Sequence, residues 1–325
     1  MKDTPNVRQK NLIFGGAFFI HFFLFLDIKY NSLNLIRGDF MMKKEKNKIP
    51  CEIKKGDIVT RKSYGNDILF FVEKITKIKN NNIAILKGCT LRIEASANTQ
   101  DLIKVNKEEF QRVMNHLDYK IENRIGEEIK NKKRNRKITL ETKEFIYTGK
   151  ILHLDGDEKY SEKAIKYYRK MGLNAIVKNI SENKQPFLIQ SLLERYKPDI
   201  LVITGHDGMI KKGERFNDIC NYRNSKYFIE AVKQARRWDK DKKLVIFAGA
   251  CQSFFEAIML AGANFASSPA RVLIDFVDPL IVAEKVATTD KYKFIRIEDI
   301  EGDLRDGRRG IGGVGANGKK TVIFL

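Results

Sequence analysis

The chain has 325 residues, 43% of them hydrophobic, which is long enough for roughly two domains with buried cores. Its 61 Lys and Arg against 41 Asp and Glu give a net charge of +20, which favours acidic partners (nucleic acid, anionic surfaces, acidic protein assemblies) without choosing among them. Cys51, Cys89, Cys220 and Cys251 form no CxxC pair, and His21, His116, His153 and His206 are no better grouped, so a paired-ligand zinc site and a disulfide framework are set aside and a reducing compartment is expected.

Leu12 to Leu26 is an apolar run of fifteen residues behind Arg8 and Lys10, short of the about 20 that a membrane span needs. It has the length of a signal-peptide core, yet no A-x-A-like cleavage site follows it. Met41-Met42-Lys43-Lys44 reads as a natural start, so residues 1–40 are expected to be an upstream extension or a signal-like segment, with no stable membrane anchor.

From Ile53 to Val105 the pattern is β-like. Ile58–Thr60, Ile68–Val72, Ile83–Leu86 and Leu91–Ile93 are short apolar or alternating runs. Lys55-Gly56-Asp57, Gly65-Asn66-Asp67 and Asn80-Asn81-Asn82 separate them as turns. A small antiparallel, SH3-like β-barrel over residues 50–106 is expected, a type of module that binds protein or RNA. Residues 107–144 read as a helical and basic linker. Glu109, Phe110, Val113, Leu117 and Ile121 lie along one helical face, and six of the eight residues Lys130–Lys137 are basic. That run reads as a solvated linker, a polyanion contact or a place where the chain is cut.

Residues 145–325 alternate between strand and helix. Strands are expected at Phe145–Leu154, Asn174–Ile180, Asp199–Thr204, Lys243–Ala248 and Asn264–Ser267. Helices lie between them: one carrying Ala164, Ile165, Tyr168 and Met171, then Phe187–Tyr196, Phe228–Trp238 and Phe254–Ala261. Continuous apolar strands between amphipathic helices indicate an α/β fold with a mostly parallel sheet flanked by helices. Ligand sites in such sheets lie beyond the carboxyl ends of the strands.

Two strands end there in small-residue turns that carry one reactive side chain each. DILVIT runs into Gly205-His206-Asp207-Gly208, and KLVIFA into Gly249-Ala250-Cys251-Gln252-Ser253. An imidazole beside a thiol generates the thiolate nucleophile. The start of the helix after Cys251 would add backbone N–H groups that favour a thiolate and an oxyanion. Either residue alone is more often structural, since cysteine is among the most buried residue types. The joint pattern is the signal. The spacing of 45 residues from His206 to Cys251 is near the ≈ 50 of caspase-type enzymes. No histidine follows Cys251, which counts against papain-like and amidotransferase-like thiol hydrolases.

ITGHDG and FAGACQS resemble the His-Gly and Ala-Cys blocks of the clan CD cysteine proteases, among them caspases, legumains, clostripain and gingipains. Together with the basic β-rich front module, ILHLDGD, GACQSFFEAI and SSPARVLIDFVDP, they resemble the YabG family of sporulation-specific proteases of endospore-forming bacteria, over residues 50–325. The resemblance implies a caspase-like protease domain, with Cys251 as nucleophile and His206 as base. It implies protein substrates of the spore coat and cortex machinery, cleavage after basic residues such as Arg, self-processing, and a place in the mother-cell cytoplasm beside the developing coat. No metal or organic cofactor and no obligatory nucleic acid are implied.

Many clan CD members carry Gly directly after the catalytic His, where this chain has Asp207. The oxyanion donors are therefore expected to be the Cys251 N–H with that of Asp207 or Gly208. Cleavage after Arg would need a buried carboxylate, for which Asp155, Asp157 and Asp275 are candidates. His153, on the same strand, is expected to be structural. The rival reading is a basic non-enzymatic protein that binds nucleic acid or coat components through the β-rich module. Gly310–Gly315 fits GxGxxG and Gly313–Lys319 fits GxxxxGK, but neither has the strand before and helix after that the nucleotide motifs require. Both are read as a glycine-rich connection to a final strand.

Overall fold

A computed structural model of the chain describes residues 52–136, 144–211 and 213–324. The expected extension at 1–40 and its apolar run lie outside them, as do His21, Cys51 and Lys137. Residues from Glu52 onward group as one compact unit. Among the described residues no helix is long and apolar enough to cross a membrane.

The first part is a five-stranded antiparallel sheet made of β1 (Ile58–Arg61), β2 (Phe70–Ile78), β3 (Asn81–Gly88), β4 (Glu94–Asn98) and β5 (Leu102–Lys104), in the order β4-β3-β2-β1-β5. Val59, Phe70, Val72, Ala84 and Leu86 are buried, as the alternation of side chains along a strand requires for one packed face. One expected strand is not formed. Leu91–Ile93 belongs to the β3–β4 connection, Cys89–Ile93, and only Ile93 makes a ladder contact, an isolated parallel bridge to Asp207, which lies outside the strands. Its alternating apolar pattern serves contacts made outside its own sheet.

Helix α1 (Lys107–Arg136) is 30 residues long, so the basic run continues the helix as far as Arg136. Lys163 and Lys170 of α2 (Glu158–Lys170) pair with Asp118 and Glu122 of α1. The segment expected as one strand from Phe145 splits in two. β6 (Glu144–Tyr147) pairs antiparallel with the last strand, β15 (Thr321–Phe324), and β7 (Ile151–Asp155) enters the main sheet. Gly149 marks the break, where a Cβ would strike the Lys319 side chain.

The main sheet has six strands in the order β13-β11-β10-β9-β7-β8. Its members are β7, β8 (Ala175–Asn179), β9 (Ile200–Thr204), β10 (Val245–Ala248), β11 (Phe265–Ser267) and β13 (Ile311–Gly313). All neighbours are parallel except β13, which runs antiparallel along β11. On one face Ile151, Val202, Val245, Phe247 and Phe265 pack with Tyr160, Ala164 and Tyr167 of α2 and Leu280, Val282 and Val286 of α6 (Asp278–Thr288). That core is continuous with Val59, Phe70, Leu86 and Ile93 of the antiparallel part. On the other face Leu152, Leu154, Leu201, Ile203 and Ile246 pack with α3 (Gln185–Tyr196), α4 (Ser225–Trp238) and α5 (Phe255–Leu260). The central strands β7, β9, β10 and β11 are therefore buried on both sides, the arrangement that continuous apolar strands require.

The glycine-rich tail serves close packing. A Cβ on Gly312 would meet the Phe255 ring, and one on Gly313 the Phe265 ring and the Asn264 carbonyl. Short strands β12 (Phe294–Ile295) and β14 (Ala316–Asn317) pair with each other, and no helix follows the glycines.

Candidate active site

β9 and β10 lie side by side and parallel, with Ala248 opposite Ile203, so the turns that follow them emerge at the same edge of the sheet. His206 sits in the first turn and Cys251 in the second, both fully buried. The turn after β10 depends on its glycine. Gly249 has φ 113, a conformation that residues with a Cβ rarely adopt, and a Cβ there would crowd Ser267. The helix expected to begin at Phe254 begins at Phe255 and has only six residues. Gln252, with φ 55, interrupts the chain between, so Cys251 lies in a turn before the helix.

Asp207 fastens the two turns together. Its carboxylate is fully buried and accepts hydrogen bonds from the N–H groups of Gly208 and Asn224 (both 2.8 Å) and from the hydroxyls of Ser225 and Ser253 (2.9 Å for Ser253). Burial pushes its pKa up to about 6 against the pull of those donors. With the Asp207 side chain turned back onto the scaffold, its own N–H faces the site.

The β3–β4 connection lies across that edge. The Arg92 carbonyl accepts from the N–H of Asp207 at 3.2 Å and from the N–H of Cys251 at 3.3 Å, and the Asp207 carbonyl accepts from the N–H of Glu94 at 2.7 Å. Gly208 lets this backbone approach, since a Cβ there would collide with the Glu94 carbonyl. The Gly208 N–H is taken by the Asp207 carboxylate, so of the two residues named for the second donor it is Asp207 whose N–H reaches the Arg92 carbonyl.

The three acidic candidates have different surroundings. Asp155, at the end of β7, is fully buried and forms an ion pair with Nη1 of Arg92, itself fully buried. Its carboxylate also accepts from Thr204 Oγ1 (2.8 Å) and the Asp157 N–H (2.9 Å). Burial alone would raise its pKa, but the Arg92 guanidinium against it holds it below the usual carboxylate range. The guanidinium also lies over the Tyr160 ring, 4.7 Å from its centroid. Asp157 caps α2, accepting from the Tyr160 N–H, and Asp275 accepts from the Val277 N–H at the entrance to α6. His153 bonds to Tyr168 Oη (3.1 Å) and Thr204 Oγ1 (2.7 Å), and burial lowers its pKa to about 3, so it is a neutral internal brace.

His206 and Cys251 are not hydrogen-bonded to each other. His206 Nε2 faces the Gly88 carbonyl at 3.3 Å, while Cys251 Sγ accepts from the Ile274 N–H at 3.4 Å. Glu182, which the sequence pattern did not single out, holds the histidine from behind. It accepts from the His206 N–H at 2.7 Å, and its carboxylate is 3.9 Å from His206 Nδ1, which has no hydrogen bond of its own. The carboxylate occupies space left by two glycines, since a Cβ on Gly156 or Gly205 would overlap it. The Gly205→Ala chain is accordingly expected to lose about 1–3 kcal/mol in urea unfolding, because a methyl must be forced into a filled site.

Burial pushes the Cys251 thiol from 9.0 up to about 12. A pKa raised on folding gives stability that is complete below the unfolded-state value and is lost as pH climbs from about 9 toward about 12. Between pH 8 and 10 the thiol should remove on the order of 1 kcal/mol of unfolding free energy. Urea titrations of His206→Ala, which keeps the thiol, should fall more steeply over that interval than those of Cys251→Ala.

Among the described residues no group of three or more His, Cys, Asp or Glu side chains is placed to hold a metal ion. Comparison with known families gives a match of residues 54–324 to the model of YabG peptidase U57. The chain belongs to the YabG peptidase family. It is 39% identical over 278 residues to the sporulation-specific protease YabG of Bacillus subtilis (strain 168), which covers 81% of this chain and 94% of that protein. No solved structure matches. Membership supports a protease role, as expected from the ITGHDG and FAGACQS segments.

Proposed function

We propose that the chain is a cysteine endopeptidase of caspase-like architecture, with Cys251 as nucleophile and His206 as general base and acid. The observation that carries this is the convergence of the turns after β9 and β10 on one backbone carbonyl, with the N–H groups of Cys251 and Asp207 both directed at it. Two such donors are the arrangement that stabilises a developing oxyanion. Cys251 Sγ attacks the scissile carbonyl and its proton passes to His206. The imidazolium then protonates the leaving amine, and water hydrolyses the thioester. Glu182 keeps the imidazole in place. Asp155 is the specificity carboxylate, and its pairing with a buried guanidinium supports cleavage after Arg. The substrates are proteins of the spore coat and cortex machinery, met in the mother cell at the developing coat, and the chain processes itself. The front sheet is the SH3-like module of the same molecule.

A reporter series tests the specificity. Peptides identical except for Arg, Lys or Gln before the scissile bond should be cut in that order, with Gln at least about 100-fold below Arg in kcat/KM, because it leaves a buried carboxylate unpaired. Equal rates for Arg and Gln would remove Asp155 from the reading.

A further inference from the structure

The β3–β4 connection has the features of a bound substrate. Its backbone makes a parallel bridge to the turn that carries His206, through the Asp207 N–H to the Arg92 carbonyl and the Glu94 N–H to the Asp207 carbonyl. The Arg92 carbonyl lies on both oxyanion donors, and its guanidinium fills the pocket closed by Asp155 and Tyr160. Gly88, at the end of β3, faces the imidazole. An ion pair kept only for stability is a poor account of this arrangement. Nε and Nη2 of Arg92 are buried with no hydrogen-bond partner, and a guanidinium so placed costs more to desolvate than a single pair returns.

We propose that this loop is the enzyme's own first substrate: Arg92 occupies the specificity pocket in cis, blocks other substrates, and is released by self-cleavage of the Arg92–Ile93 bond. The inference rests on the protease reading given above. Cys251 Sγ adds to the Arg92 carbonyl carbon while His206 takes the thiol proton. The bond to the Ile93 nitrogen breaks, and that nitrogen takes the proton from His206. Water then hydrolyses the Arg92 thioester to a carboxylate and regenerates the thiol. The two pieces stay together after the cut, because β4 remains paired with β3 and β5 with β1 on opposite sides of the break. The cut is therefore visible only after denaturation.

The test incubates the purified full chain, its Arg92→Gln form and its Cys251→Ala form alone and with an arginyl reporter, and reads new N-termini after denaturation. Wild type should yield a fragment starting Ile93-Glu94-Ala95-Ser96, at a rate independent of protein concentration, with a lag in reporter hydrolysis that ends as the fragment accumulates. Arg92→Gln should give no such fragment, no lag, and an initial rate about 10-fold or more above wild type, since an occupant held in cis competes at an effective concentration near millimolar. Cys251→Ala should remain whole. Because Arg92→Gln leaves Asp155 without its partner and could fold poorly, a synthetic peptide of residues 87–96 is also offered to wild type after its lag, and it should be cut between Arg and Ile. Full-rate reporter hydrolysis from time zero with the Arg92–Ile93 bond intact, or consumption of the reporter with the 87–96 peptide untouched, would overturn the inference and leave the protease reading standing. Absence of reporter hydrolysis and of any fragment in all three forms would overturn the protease reading, and this inference with it.

Discussion

Replacing Cys251 by Ala is expected to lower kcat/KM on an arginyl reporter by at least about 10⁴-fold, and His206→Ala by a similar factor, with the double variant no worse than either single one. The three values should coincide because the two side chains act as a unit. Without the thiol the imidazole has no nucleophile to activate, and without the imidazole the leaving nitrogen has no proton donor. No residual rate above that of water is expected from the two N–H donors and the pocket, because in both variants the uncut loop keeps Arg92 on them. Steady-state kinetics on chains shown to be folded by circular dichroism would check this. Additive losses in the double variant would mean that the two residues do not share one reaction.

Asp155→Asn should have two effects of different kinds. On the reporter, kcat/KM for Arg should fall by about 10³-fold or more while that for Gln changes little, since the change removes the charge that selects a guanidinium. On stability, a chain with the loop seated keeps a buried Arg92 without its counter-ion, and breaking such a pair by removing one partner costs about 3–5 kcal/mol. The sign with pH follows from the depressed pKa of Asp155. Its contribution is present above the usual carboxylate range and is lost as pH falls through its folded value. The stability gap between Asp155→Asn and the parent, both carrying Cys251→Ala to prevent cutting, should therefore be widest near neutrality and close in acid. The combined Arg92→Gln and Asp155→Asn chain should recover part of the loss, since neither residue is then left as a buried charge.

The residues at strand ends were the legible ones. Strand, Gly-His, helix, strand, Gly-Ala-Cys could be read as two turns at one sheet edge because parallel strands fix which end their connections leave from, and β9 and β10 do lie side by side. The place of Asp155 at that edge was legible for the same reason, as one of three carboxylates. Its distinction from Asp157 was less so, because which carboxylate caps a helix and which faces a pocket depends on a single residue of offset at the end of β7. Arg92 and Glu182 were out of reach. Thr90-Leu91-Arg92-Ile93 alternates like a strand, and nothing local distinguishes a residue that pairs within its own sheet from one that bridges outside it. Glu182 lies between β8 and α3 in an ordinary loop composition. Its role arises only where Gly156 and Gly205, from two different strand ends, leave room for its carboxylate. The fold was readable where it follows from periodicity. The placement of His206 and Cys251 at one sheet edge was readable because it follows from topology, and the contacts of Arg92 and Glu182 were not, because they join distant segments.

The most direct test of the account is to treat the full chain, after its self-processing has run to completion, with a peptidyl-arginyl chloromethyl ketone and to locate the adduct by mass spectrometry. One adduct per chain is expected, on Cys251, with complete loss of reporter hydrolysis and no labelling of His206→Ala at the same dose. An active chain whose adduct lies on Cys89 or Cys220, or one that keeps its activity unlabelled, would contradict it.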